Sequence, residues 1–459
     1  MNNETHDEKS NHSTGLVRTM GLGALTIYGV GDMLGAGIYG TIGKAAGLMG
    51  NAIWLGFIAS MVAALLTGLS YASLGSRYPR AAGASYVTQR AFNVNFLAYV
   101  VGLAVTASGL TSFATQSRAF SGYFVGFLGY SLPSATNATL PPASPMMWML
   151  VALGFILLLS FVNFWGIKES LWMNAVCTAV EVGGVLLVIF VGMRYWGRVD
   201  LLQGPALAEG TGTTALSLGL VLQGAALTFF SFVGFEDMIN VSEEVKEPER
   251  NFPRAVIMAI AIVTVVYVAM AVTVVSVVPA ATLATSGQPL VDVVKVAAPW
   301  FPPAAFSLIA LFAIANTGLL NYIMGSRLVY GMAKQGLLPK SLGIIHPTRR
   351  TPHRAILVLM MIVIALALVG DVSQLASATA ALLLTVFIFI NAALIVLQRR
   401  AGEAKGRFEI PSIVPALGIV ACAALLYNTK PEALRIAGVL IMLIAALYFI
   451  LRPKNVIAE

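Results

Sequence analysis

The chain has 459 residues, of which 58% are hydrophobic and only 10% charged, and its mean hydropathy is +0.84. A soluble domain carries about 25% charged residues, so this composition excludes a soluble globular protein and points to a polytopic membrane protein. The net charge of +8 sits in loops and does not imply a nucleic-acid surface.

Twelve apolar segments of about 20 residues or more, the length a bilayer demands, are expected near 20–46, 49–74, 93–126, 146–166, 172–195, 214–243, 255–278, 303–333, 354–370, 374–398, 411–428 and 433–451. The polar tail before Gly15 lacks a basic n-region and a cleavage site, so the first segment is read as a span. Six basic residues (Lys44, Arg194, Arg198, Lys295, Lys430 and Arg435) fall on the side opposite the N-terminus, and Arg118 and Arg327 fall within or near helices. The other twenty of the 28 Lys and Arg share the side of the N-terminus. That imbalance predicts both termini in the cytoplasm. The loops 127–145 and 196–213 read as connectors, and the sequon at Asn137 carries little weight. Cys177 and Cys422 read as small core residues with no disulfide.

Within the first span, glycines at 31, 35, 37 and 40 surround Asp32. Glycine weakens a helix by roughly 1 kcal/mol against Ala. A broken helix in hydrocarbon survives only where its freed backbone lines a cavity or meets a ligand. Gly31 and Gly35 alone would fit close helix packing, but four glycines and an acid favour a break. The freed N–H groups would attract a carboxylate, and Asp32 is an acid at membrane depth.

Span six carries a second interruption, where Phe229, Phe230, Ser231, Phe232 and Val233 meet Gly234, Phe235, Glu236 and Asp237. Interruptions five spans apart are the sequence signature of a transporter site between inverted repeats. Repeat one is placed at about 19–196 and repeat two at about 214–398, with accessory helices at 411–451 and tails at 1–18 and 452–459. Glu181, in the middle of span five with no Lys or Arg within a turn, is a third buried acid suited to carrying a proton or holding a cation. Enzymatic chemistry is not expected: the four histidines lie in tails or loops, and no metal spacing or phosphate loop is present. No cofactor is expected.

Five segments carry a family resemblance: Gly35-Ala36-Gly37-Ile38; 77–86 after span two; 232–236 with 243–248; 326–339; and 408–411. In this order and spacing the chain resembles the amino acid–polyamine–organocation superfamily, and within it bacterial amino acid permeases near the cationic amino acid transporter branch. The resemblance implies an all-α fold of about twelve transmembrane helices, a five-plus-five inverted repeat with helices one and six broken. It also implies that the substrate carboxylate meets the backbone of Gly35, Ala36 and Gly37. The substrate amino group would meet carbonyls around Phe230, Ser231 and Val233, with Phe230 as a gate. Asp32 falls where some members have a neutral polar residue and is counted with the substrate site. Glu236 falls at a proton-sensing position. Glu181, near Thr317, falls where several members carry a lysine in place of a sodium ion, which leaves the coupling ion open. The expected function is amino acid transport across the bacterial cytoplasmic membrane, proton-coupled or exchanging. The alternatives are polyamine or diamine transport and a non-transporting amino acid sensor. The expected partners are the small-molecule substrate and membrane lipid.

Overall fold

The computed structural model describes residues 20–78, 83–130, 144–165, 171–206, 213–334, 336–349, 351–403, 405–451 and 453. The sequon at Asn137 therefore lies outside the described residues, as do Pro79 to Ala82 of the motif after span two. The described residues are nearly all helical, with no β-strand among them and only isolated bridges such as Met20 to Val245. The helices, in chain order, are α1 (Leu22–Leu34), α2 (Ala36–Met49), α3 (Ile53–Arg77), α4 (Gly83–Phe92), α5 (Asn95–Phe127), α6 (Pro145–Trp165), α7 (Leu171–Gly192), α8 (Leu218–Thr228), α9 (Pro248–Val277), α10 (Ala280–Thr285), α11 (Pro289–Ala297), α12 (Pro303–Lys334), α13 (His353–Val369), α14 (Val372–Arg399), α15 (Ile413–Tyr427) and α16 (Pro431–Leu451).

Nine described helical segments are long and apolar enough to cross a membrane. Three shorter apolar helices, α1, α13 and α15, take the places of the first, ninth and eleventh expected spans, α1 as the first half of a broken one. Three helices fall where only connectors were expected. The short α4 follows span two, and α10 and α11 follow span seven. Hydropathy misses them because they are short and, in α4, polar.

Polarity decides which helices sit at the centre. Helix α5 buries Thr111, Ser112, Thr115, Gln116 and Ser117, whose hydroxyls largely bond back to their own helix, as Thr115 does to the Thr111 carbonyl at 2.8 Å. Such groups are costly in hydrocarbon, so α5 is enclosed, between α12 and α14. Helix α16 buries only Ala433 and Ala437 and shows its apolar surface outward. The broadest packing pairs are α3 with α9 and α5 with α12, which are spans two with seven and three with eight. Both cysteines are buried.

A polar clamp ties the connector between α14 and α15 to the ends of α3 and α4. Arg77, with a side chain only 4% exposed, donates two hydrogen bonds to Glu409 at 2.8 and 2.6 Å. Glu403 accepts from Arg90 at 2.5 Å and from the Tyr78 hydroxyl. Burial alone would raise the Glu403 carboxyl, but hydrogen bonds from Tyr78 and Arg90 outweigh it and hold the group below its ordinary value.

Candidate functional site

The first interruption is one residue wide. Gly35 leaves the helical region at φ −58° and ψ −137°, and α2 starts at once with no side chain capping its N-terminus. The first-turn N–H groups of α2 therefore lack intrahelical acceptors. The second interruption is longer. Helix α8 stops at Thr228, a 3₁₀ turn covers Phe229–Phe232, Val233 is extended, and Gly234 takes φ +126°. The chain then continues as a 3₁₀ helix, Phe235–Glu244. At about 2.0 Å per residue this segment carries Glu236 further from Glu244 than α-helical spacing would.

Neighbouring side chains engage the backbone around this break. The Ser60 hydroxyl of α3 lies 2.8 Å from both the Ala225 carbonyl, which also accepts the Phe229 N–H, and the Gly56 carbonyl of its own helix. Glu236, 5% exposed, accepts the Gly234 N–H at 2.9 Å and so caps the segment it belongs to. The hydroxyl of Tyr267 in α9 lies within hydrogen-bond reach of both the Met33 and the Ser231 carbonyls, the latter at 2.6 Å. One phenol thus spans the two breaks.

The breaks also touch through their glycines. A Cβ on Gly37 would sit 2.8 Å from the Ser231 Cα, and one on Gly234 would sit 3.0 Å from the Asp32 carbonyl carbon. A Cβ on Gly31 would meet the Thr178 hydroxyl at 2.5 Å, and one on Gly35 would run into the Thr317 hydroxyl. Span one is therefore held between spans five, six and eight.

Between the breaks lies a cavity of about 20 Å³, lined among others by Asp32, Gly37, Gln116, Phe230, Asp237 and Thr317. It shares Ser112, Val233, Asp237 and Asn321 with a cleft of about 490 Å³ that runs past Glu236 to Gly83 and Arg327. No Lys or Arg lines the small cavity. The Asp32 carboxyl lies within electrostatic reach of Asp237, Glu236 and Glu181. Two buried acceptors there, Asp32 Oδ2 and Gln116 Oε1, have no hydrogen-bond donor among the described residues.

Of the residues singled out from sequence, Asp32, Gly37, Phe230, Val233 and Thr317 line the small cavity. Gly35 abuts Thr317, Ser231 lies against Gly37, and Ala36 opens α2. Glu236 lines the cleft. Glu181, 1% exposed, stands behind the break. Its carboxylate accepts from Asn316 at 3.1 Å, and its backbone carbonyl accepts from the Tyr39 hydroxyl at 2.9 Å. Asn316 on α12, next to the expected Thr317, is thus a hydrogen-bond partner of Glu181. The sequence reading missed Gln116, Ser112, Asn316, Asn321 and Tyr267. Asn316, Asn321 and Gln116 are polar amides inside apolar spans, and that signal would have found them had it been applied beyond ionisable groups. Nothing local marks Tyr267.

Comparison with known proteins adds the following. The sequence profile described as amino acid permease matches residues 20–451. The branched-chain amino acid permease BcaP of Bacillus subtilis is 28% identical over 432 residues, covering 92% of this chain and 90% of that protein. The methylthioribose transporter of the same organism is 29% identical, covering 91% and 89%. Cationic amino acid transporter 4 of Mus musculus is 27% identical, covering 94% of this chain and 66% of its own length.

Proposed function

The chain belongs to the amino acid permease family, and we propose that it is a secondary active transporter, not an enzyme, that moves amino acids across the cytoplasmic membrane by alternating access. The observation that carries this reading is the meeting of two helix breaks at a small cavity that shares Ser112, Val233, Asp237 and Asn321 with a wide cleft. A substrate enters by the cleft and reaches the breaks when this cavity, about 20 Å³ here, widens, while Gly37 packed on Ser231 and Tyr267 bonded to both breaks close the far side. Alternating access is the exchange of those two conditions.

The substrate carboxylate binds the uncapped N-terminus of α2 at Gly35, Ala36 and Gly37, where backbone donors and the helix dipole coincide. The ammonium binds carbonyls around Phe230, Ser231 and Val233, and Phe230 covers it. The repeats 19–196 and 214–398 move against each other, with 411–451 as accessory helices facing lipid and both termini in the cytoplasm.

Glu181 is the coupling residue and takes up a proton. It is buried, has no ion-pair partner among the described residues, and bonds to α12 through Asn316 while Tyr39 of α2 bonds to its backbone carbonyl. A change in its charge therefore acts directly on span eight through Asn316, and reaches span one where Thr317 of the same helix meets Gly35. Glu236 is already engaged as a cap and senses charge in the cleft. A second reading, a basic amino acid or a polyamine as substrate, is favoured by the donor-free acceptors Asp32 Oδ2 and Gln116 Oε1, which an ammonium or guanidinium would satisfy.

The test is uptake into proteoliposomes of labelled amino acids and polyamines under imposed proton or sodium gradients. Glu181→Gln keeps exchange and loses accumulation driven by a proton gradient. If Glu181→Gln still concentrates substrate in response to that gradient, Glu181 is structural.

A further inference from the structure

The cavities are strung along α5. The wide cleft touches its residues 102–112, the small cavity touches Ser112 and Gln116, and a third cavity of about 260 Å³ touches Arg118, Ala119, Gly122 and Tyr123. At 1.5 Å per residue the third lies roughly one to two helical turns beyond the small cavity, on the side away from the cleft. Helix α2 repeats the order, with Gly37 at the small cavity and Gly40, Gly43 and Lys44 at the third. The third cavity therefore continues the line of the first two, past the point where Gly37 and Ser231 close it.

Its chemistry is the reverse of the small cavity's. Lys44 and Arg118 both line it. Lys44 Nζ donates to the Ala284 carbonyl at 2.7 Å, and Arg118 Nε to the Gly370 carbonyl at 3.3 Å. Neither forms an ion pair among the described residues. The remaining ammonium hydrogens and the two terminal guanidinium nitrogens are left to donate. The indole Nε1 of Trp148, on the same wall, is buried without an acceptor. The acid of the cavity, Asp371, accepts the Gln374 N–H at 2.8 Å as the N-cap of α14, so one positive charge is left over. Ligand pockets for drug-sized molecules run about 300–1,000 Å³, and 260 Å³ suits something smaller. A small carboxylate meets every one of these conditions. It accepts in a plane from a guanidinium, neutralises the surplus charge and takes the orphan indole N–H.

We propose that this third cavity is a second binding site, in which Lys44, Arg118 and Trp148 hold the carboxylate of the amino acid at the far end of the transport path. The assignment of its ligand rests on the amino acid transport proposed above. The central site and this one hold the same carboxylate by different means: backbone N–H groups at a helix start in one, charged side chains in the other.

The test is protection of a cysteine placed in the wall, Val372→Cys, from a polar maleimide. It uses the purified full-length chain, whose native Cys177 and Cys422 are both buried. The probes are L-leucine and L-arginine, their carboxyl-free counterparts isopentylamine and agmatine, and sodium acetate. The two amino acids are expected to slow labelling at least several-fold, and the amines to leave it unchanged. Lys44→Gln with Arg118→Gln is expected to abolish the protection, whereas Lys44→Arg with Arg118→Lys keeps it. Protection must survive Gly37→Val, which blocks the central site, because the occupant sits at the cysteine itself. Protection by the amines, none by either amino acid, or loss of protection on Gly37→Val overturns the proposal. Equal protection by acetate at the same concentration assigns the cavity to free carboxylates and overturns its place on the path. Uptake of the same two amino acids is measured in parallel. Uptake without protection leaves the transport reading standing and removes the site, and protection without uptake does the opposite.

Discussion

The two helix breaks use glycine for different reasons. At the first, Gly35 has a negative φ and the helix resumes after a single residue. What its glycines provide is closeness, since a Cβ on Gly31, Gly35 or Gly37 would run into Thr178, Thr317 or Ser231. At the second, Gly234 takes φ +126°, a conformation that L side chains rarely adopt, and the chain runs on as a 3₁₀ helix to Glu244 without returning to α-helix. The first break is thus a tight junction between two helices, whereas the second is a segment without α-helix held by side chains such as Tyr267 and Glu236. Substitutions should separate the two, by sterics at one and by lost hydrogen bonds at the other.

Gly37→Val carries the largest expected effect. Its side chain would enter the space of the Ser231 backbone, 2.8 Å away already for a Cβ, and backbone yields less readily than a flexible side chain. Uptake should fall by at least about 100-fold, roughly 3 kcal/mol, while membrane insertion and expression stay normal. Wild-type uptake would show that the junction does not form the site.

Tyr267→Phe comes next and joins both breaks. It strips the Met33 and Ser231 carbonyls of their shared donor, and an orphaned buried acceptor costs about 1–3 kcal/mol. Substrate affinity measured by calorimetry should drop about tenfold, since 1.4 kcal/mol is one decade. An unchanged affinity would mean that the carbonyls are supported in another way.

Phe230→Ala removes the aromatic wall of the small cavity while leaving both backbones in place. Affinity should fall several-fold, and Phe230→Trp, which keeps a flat apolar face, should lose less. Equal affinities for the two variants would remove Phe230 from the role of cover.

The smallest effect belongs to a region remote from both breaks. Glu403→Gln weakens the clamp to Arg90 and Tyr78, and because Arg90 is partly exposed the loss in melting temperature should be modest. The native carboxyl sits below its ordinary value of 4.5. The clamp's contribution is therefore complete above that value and is lost as pH falls through the lowered one. The difference between wild type and variant, followed by thermal unfolding against pH, should close on the acid side. A difference that persists there would show that the bond does not depend on the charge.

The sequence by itself marked the apolar segments and both interruptions, because hydropathy and glycine content act locally along the chain, while several helix ends, such as the start of α9 at Pro248, fell some residues away from the expected ones. It also marked Asp32, Glu181 and Glu236, since an acid in an apolar span stands out from its own neighbours. It gave no hint that Tyr267 would reach both breaks, that Asn316 would hold Glu181, or that Lys44, Arg118 and Trp148 would face one cavity. These residues come from helices far apart in the chain, and their meeting depends on how the helices cross and rotate against one another. Packing decides that, through contacts such as Gly37 on Ser231 and Gly234 on Asp32, which a one-dimensional pattern does not encode.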